Sequence, residues 1–92
     1  MEYEDEGEYE LYKAEEEAKE MIVGLLIDQY NFMSIFAFKV NGEYHKLVND
    51  KTIRNVNICG YNFFPNKEKL VTIKEGRKIW EALEGNGWES KE

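Results

Sequence analysis

The sequence predicts a small α+β domain: an antiparallel sheet of three to four strands packed by two helices. Three observations predict it. Apolar residues recur at helical spacing over 14–30, an Asn41-Gly42 pair separates two alternating segments, and Thr72-Ile73-Lys74-Glu75 opens a second amphipathic run. The chain has 92 residues, the size of one domain. A chain so short buries only about 60–65% of its extended surface, so one helix on a few strands would nearly exhaust its core.

In chain order, residues 1–12 read as an acidic leader, partly disordered or a short strand with Tyr9 and Leu11 on one face. The domain proper is expected over 13–88. Ala14, Ala18, Met21, Ile22, Leu25 and Leu26 fall three and four apart, which predicts a helix over 14–30 with Gly24 as its weak position. Glu15, Glu16 and Glu17 would then sit in its first turns, where carboxylates meet the positive end of the helix dipole.

Met33–Val40 reads as a strand that is apolar on both faces, as a covered or central strand is. Asn41-Gly42 predicts a two-residue type I′ turn, which fixes the hairpin 33–40/43–48. The register follows: Val40 faces Glu43, Phe38 faces His45 and Phe36 faces Leu47, while Lys39 faces Tyr44, Ala37 faces Lys46 and Ile35 faces Val48. That gives a polar tip and an apolar base. Thr52–Cys59 is a third strand by its Asn55-Val56-Asn57-Ile58 alternation, Tyr61–Phe64 continues it as a strand or buried loop, and Lys69–Val71 pairs back. Thr72 and Glu75 form a capping box for a helix over 73–84 with Ile73, Gly76, Trp80 and Leu83 on one face. Gly85-Asn86-Gly87 ends it, Trp88 folds back on the domain, and 89–92 is expected to fray.

Catalysis is not expected. His45, the single histidine, reads as a half-exposed strand residue, and Cys59, the single cysteine, as a buried small hydrophobe. Ser34 and Ser90 have neither a placed histidine nor a glycine elbow. Acidic clusters such as Glu4-Asp5-Glu6 lack the spacing and glycine of a calcium loop, and one cysteine makes no thiolate zinc site or internal disulfide. No cofactor or metal is therefore expected. The apolar runs 21–27 and 35–38 fall far below the roughly 20 residues that cross a bilayer. The N-terminus is acidic where a signal peptide is basic, so the reading is a soluble, cytoplasmic protein with no membrane partner.

Charge is the stronger guide. The net charge of -7 is segregated: in residues 1–20, ten acidic residues against Lys13 and Lys19 leave -8, and within 39–78 nine basic against four acidic leave +5. The first binding surface this suggests is the acidic, tyrosine-containing N-terminus, Tyr3, Glu4, Asp5, Glu6, Tyr9, Tyr12 and Glu16, which suits a basic groove on another protein. The second is the basic middle, Lys46, Lys51, Arg54, Lys67, Lys69, Lys74, Arg77 and Lys78 with Tyr44 and Tyr61, which suits single-stranded nucleic acid. An acidic leader lying over this basic face is the intramolecular version of the same pairing. The sequence reading favours a non-catalytic protein-interaction module, an inhibitor of a host or defence protein or a homodimer, with nucleic-acid binding as the alternative.

The sequence carries two resemblances. Leu70, Thr72, Gly76, Arg77 and Leu83 in KLVTIKEGRKIWEAL resemble the strand-to-capped-helix end of winged-helix domains. Such domains carry a helix-turn-helix ahead of the wing, where this chain has its FAFKVNGEYHKLV hairpin, so membership is not assigned. The richness in Asn, Lys, Glu and Ile, with compactness and local acidity, resembles small phage-encoded inhibitors in general type.

Overall fold

The Asn41-Gly42 turn does what its residues predict. Both take positive φ, 51° and 82°, and the flanking strands pair in the expected register from Val40↔Glu43 down to Ser34↔Asn49. Around this hairpin a computed structural model describes residues 6–90, with side chains from Tyr9 onward. The elements are α1 (Glu6–Glu15), β1 (Glu20–Asp28), β2 (Met33–Val40), β3 (Glu43–Asn49), β4 (Val56–Ile58), β5 (Tyr61–Phe63), β6 (Lys67–Thr72), α2 (Ile73–Glu84) and β7 (Glu89–Ser90). The main sheet runs β6-β1-β2-β3-β7, antiparallel throughout, and β4-β5 form a separate hairpin. The result is a compact single α+β domain, its sheet flanked by an N-terminal and a C-terminal helix.

The expected helix over 14–30 is not there. Ala14 and Glu15 end α1, and 20–28 is strand β1, paired to β2 on one side and β6 on the other. The cause is physical. Met21, Val23 and Leu25 alternate with Ile22 and Leu26, so both strand faces are apolar. A near-continuous apolar run satisfies helical spacing and strand spacing alike. β-Branched Ile22, Val23 and Ile27, with Gly24 between them, favour the strand. Glu15 therefore lies at the negative end of a helix, the reverse of the expected placement, and Arg77 of α2 compensates it at 3.0 Å.

Other expectations shift as well. The leader expected as disorder or strand is helical over 6–12, while residues 1–5 lie outside the described residues. Of the tail expected to fray, Glu89 and Ser90 join the sheet against Val48 and Leu47, and 91–92 lie outside the described residues. The third strand is β4, three residues long. Thr52–Asn55 is a connection held by Ser34, whose hydroxyl accepts from the Ile53 amide at 2.6 Å and donates to the Ile53 carbonyl at 3.3 Å. Cys59 is exposed, not buried. With Gly60 it forms a second turn of the Asn41-Gly42 kind, φ 51° and 82°, which swings its side chain away from the strand. His45 is buried rather than half-exposed, because α1 packs over this end of β2 and β3 and Phe38 lies opposite.

The core lies on one side of the sheet. Met21, Val23, Leu25, Phe36, Phe38, Val40 and Leu47 point there and meet Leu11 of α1, Ile79, Trp80 and Leu83 of α2, Phe63 and Trp88. Ring contacts lock the layer: Phe36 meets Phe63 at 5.1 Å and Trp88 at 4.9 Å, and Phe38 meets Trp80 at 5.0 Å, all edge-on. Thr72 ends β6 and caps α2, its hydroxyl accepting from the Glu75 amide at 3.1 Å. With no loop between strand and helix, α2 lies close on β1. A Cβ at Gly76 would fall on the Met21 thioether.

Candidate functional site

Strand pairing places each residue and its cross-strand partner on the same side of the sheet. The side away from the helices therefore reads directly from the registers. One row is Leu70-Ile22-Lys39-Tyr44, the next Glu68-Gly24-Ala37-Lys46, the next Leu26-Ile35-Val48-Glu89, and Asp28-Met33 closes the end. Among the described residues no helix or strand covers these rows. Leu70 is 65% exposed, Tyr44 56% and Leu26 38%, while Ile22, Met33, Ile35, Ala37 and Val48 are half-buried by one another. Lys39 lays its amine over the Tyr44 ring, 5.5 Å from the centroid, so its charge sits at the rim. At the centre the Glu68 stem lies against Gly24, where an added Cβ would come within 3.2 Å of its Cγ.

Antiparallel sheets that face water on one side usually alternate apolar with polar residues. The two central strands depart from this: outward residues Ile22, Leu26, Ile35 and Ala37 are apolar, with Lys39, Lys46 and Glu68 around them. Contiguous exposed apolar patches larger than a few hundred Å² are uncommon on monomeric domains.

At the Leu26–Met33 end, the β1–β2 connection presents two large rings to solvent: Tyr30 is 95% exposed and Phe32 73%. Phe32 has φ 53°, a conformation that bulky side chains rarely adopt. Asp28 holds the turn. Its carboxylate accepts from the Tyr30 amide at 3.0 Å, the Asn31 amide at 3.2 Å and the Asn31 side chain at 2.8 Å. These bonds, that from the Asn31 side chain foremost, lower the Asp28 pKa below its ordinary value.

The residues singled out by charge are distributed differently. Tyr3, Glu4 and Asp5 lie outside the described residues, as does the Glu6 side chain; Tyr9 and Glu16 are at the surface. Tyr12 is turned inward, its ring 3.9 Å beneath the Arg77 guanidinium and its hydroxyl donating to Glu81 at 3.2 Å. Tyr12 and, after it, the Glu15 charge raise the Arg77 pKa further above its ordinary value. Acidic α1 thus meets one arginine of the basic set through Arg77. The rest of that set spreads out: Tyr44 and Lys46 stand on the uncovered face, and Lys51 and Arg54 lie in the connection after β3. Lys67 and Lys69 are in register with Leu25 and Val23 of the helix side at the far edge, and Lys74 and Lys78 are on α2. Tyr61 packs beside Phe63, 6.1 Å between centroids. No single face brings them together.

Among the described residues no group of three or more His, Cys, Asp or Glu is placed to hold a metal ion. A shallow depression between α1 and the Asn41-Gly42 turn is lined by Glu10, Lys13, Ala14, Glu17, Asn41 and Glu43, polar and open to solvent. No described helix is long and apolar enough to cross a membrane.

Sequence reasoning missed Ile22, Leu26, Ile35 and Leu70 as surface residues, and with them Tyr30 and Phe32. The signal was present in the two apolar faces of 33–40, which the reading resolved by assuming a cover on both. No protein-family model, curated protein or solved structure matches this chain.

Proposed function

We propose that this protein is a non-catalytic protein-interaction module that docks through the uncovered face of its sheet. One observation carries the reading. Leu70, Ile22, Leu26, Ile35, Ala37, Val48 and Met33 form an apolar surface, joined across the middle row through Ala37, and no described element packs on it. Burying apolar surface is worth about 25 cal/mol per Å², and a preformed sheet loses little conformational entropy on docking. The rings of Tyr30 and Phe32 extend the surface at one end, aromatic anchors of the kind that dominate interfaces. This moves the proposed contact from the acidic N-terminus to the sheet. The exposed carboxylates Glu10, Glu16 and Glu17 then act as a steering field around the domain rather than as its anchor.

A photo-crosslinking side chain at position 26, compared with one at exposed position 74 on α2, tests the reading in cells that make the protein. Discrete adducts at 26, absent at 74, are expected. Diffuse labelling at both positions would overturn it. So would retention of nucleic acid by the purified protein at about 150 mM salt, where weak phosphate contacts are screened, if Lys46→Glu abolished that retention.

A further inference from the structure

We propose that the partner docked on the uncovered face is a second copy of this chain, packed face to face as a two-fold β-sandwich. This rests on the reading of that face as a docking surface and names its occupant.

The argument is charge and shape. In the middle row, Glu68 stands on β6 and Lys46 on β3, at opposite ends, with only Gly24 and Ala37 between them. Take a two-fold axis that lies in the interface, parallel to the strands and between β1 and β2. It sets β6 of one copy over β3 of the other and keeps each row at its own height. Glu68 then meets the second copy's Lys46, and Lys46 the second copy's Glu68, so this row is electrostatically complementary to itself. In the row nearer the Asn41-Gly42 turn, Leu70 meets Tyr44 and Ile22 meets the stem of Lys39. The small residues at the centre leave room for the Glu68 stem, which already lies inward against Gly24, and for the incoming lysine. One row away the same axis sets Leu26 over Ile35, twice, an apolar contact of matched bulk. The axis also runs past the end that carries the β1–β2 turn, so the exposed Tyr30 and Phe32 of both copies come to one end of the sandwich. Two twisted sheets stacked this way cross at about 30° with an apolar layer about 10 Å thick.

A rival arrangement in which a partner strand adds to a sheet edge would not use this row at all. The opposed charges at fixed positions within one row favour face-to-face self-association. Four strands about 4.8 Å apart and rows about 7 Å apart give a footprint on the order of 400 Å² per copy, about 800 Å² in all, below the roughly 1,200 Å² of stable interfaces and in the range of weak, transient contacts. A weak, reversible dimer in the micromolar to millimolar range is therefore expected.

Sedimentation velocity of the full chain from about 1 µM to about 1 mM brackets that range. The native chain should pass from monomer to dimer within it. Leu26→Lys should stay monomeric with native tryptophan fluorescence. Glu68→Lys and Lys46→Glu should each weaken the dimer about tenfold or more, and the double swap should restore it to within about threefold. Both charge positions, Glu68 and Lys46, are exposed, and native tryptophan fluorescence checks that Leu26→Lys is folded. A native chain that stays monomeric throughout, or a double swap no better than its parents, overturns the proposal. A monomeric chain whose position-26 crosslinker still traps a different protein overturns self-docking alone. Loss of both overturns the docking surface with it.

Discussion

Phe36, Phe38 and Leu47 lie on one side of the sheet, and Ile35, Ala37 and Val48 lie on the other, one residue along the same two strands. The first set is sealed by α2, β5 and Trp88; the second faces outward with nothing described above it. Residue type does not separate the two sides, since both are apolar. Cover does. The helix side is closed by rings meeting edge-on, and the outer side is held only by neighbours in the same layer. The difference teaches that in a domain this small the helices suffice for one face, and the second apolar face, uncovered among the described residues, is the one we propose to dock.

The comparison can be broken at several points. The largest effect should come from Phe36→Ala, which opens a cavity among Phe63, Trp88 and Phe38 and should cost about 3–5 kcal/mol in denaturant unfolding. Its neighbour Ile35→Ala should cost about 1 kcal/mol or less in the monomer. Equal losses would mean that the two faces are equally buried. Next, Gly76→Ala drives a methyl into Met21 and should cost about 1–3 kcal/mol, with a Met21→Ala background recovering part of it. A smaller effect is expected for Arg77→Leu. Its pair with Glu15 is partly exposed and screened, so global stability should fall by about 1 kcal/mol or less. Amide exchange within α1 should nevertheless rise selectively, and uniform exchange across the sheet would contradict the tie between α1 and α2 that Arg77 makes through Glu15 and Tyr12.

The smallest effect is local and depends on pH. The Asp28 pKa is lowered in the folded chain by Asn31 and the Tyr30 amide, so its hold on the β1–β2 turn is fully present above the ordinary carboxylate range. That hold is lost only as pH falls through the depressed folded value. Tyr30 and Phe32 resonances should therefore move together at a pH below the ordinary aspartate range. Movement at an ordinary carboxylate midpoint would refute the anchoring role of Asp28.

How much was legible from sequence follows the same divide. The hairpin register was readable to the residue because Asn41-Gly42 admits one turn and a period of two leaves no freedom after it. The capped second helix was readable because Thr72 and Glu75 act locally. Residues 20–28 were not, because apolar residues on both faces erase the alternation that distinguishes a strand from a helix. The Cys59-Gly60 turn escaped because a cysteine at positive φ lies outside the usual turn chemistry. The uncovered face was half legible: the two-faced strand was seen, and its second cover was assumed. That Tyr12 and Glu15 converge on Arg77 depended on where α1 docks, which no local pattern encodes.

The absence of a loop between β6 and α2 sets the order in which the chain can fold. β1, β2 and β3 are sequential and pair through short connections, so they can assemble early and locally. Until residues 67–84 arrive, β1 keeps an open edge and its Met21 face lacks its helix. Because Thr72 belongs to both strand and cap, pairing of β6 to β1 delivers α2 onto that face in the same motion. Edge and core are closed by one late event. A chain cut before residue 67 would present a three-stranded sheet, apolar on both sides, with its first strand ready to pair with whatever lies nearby.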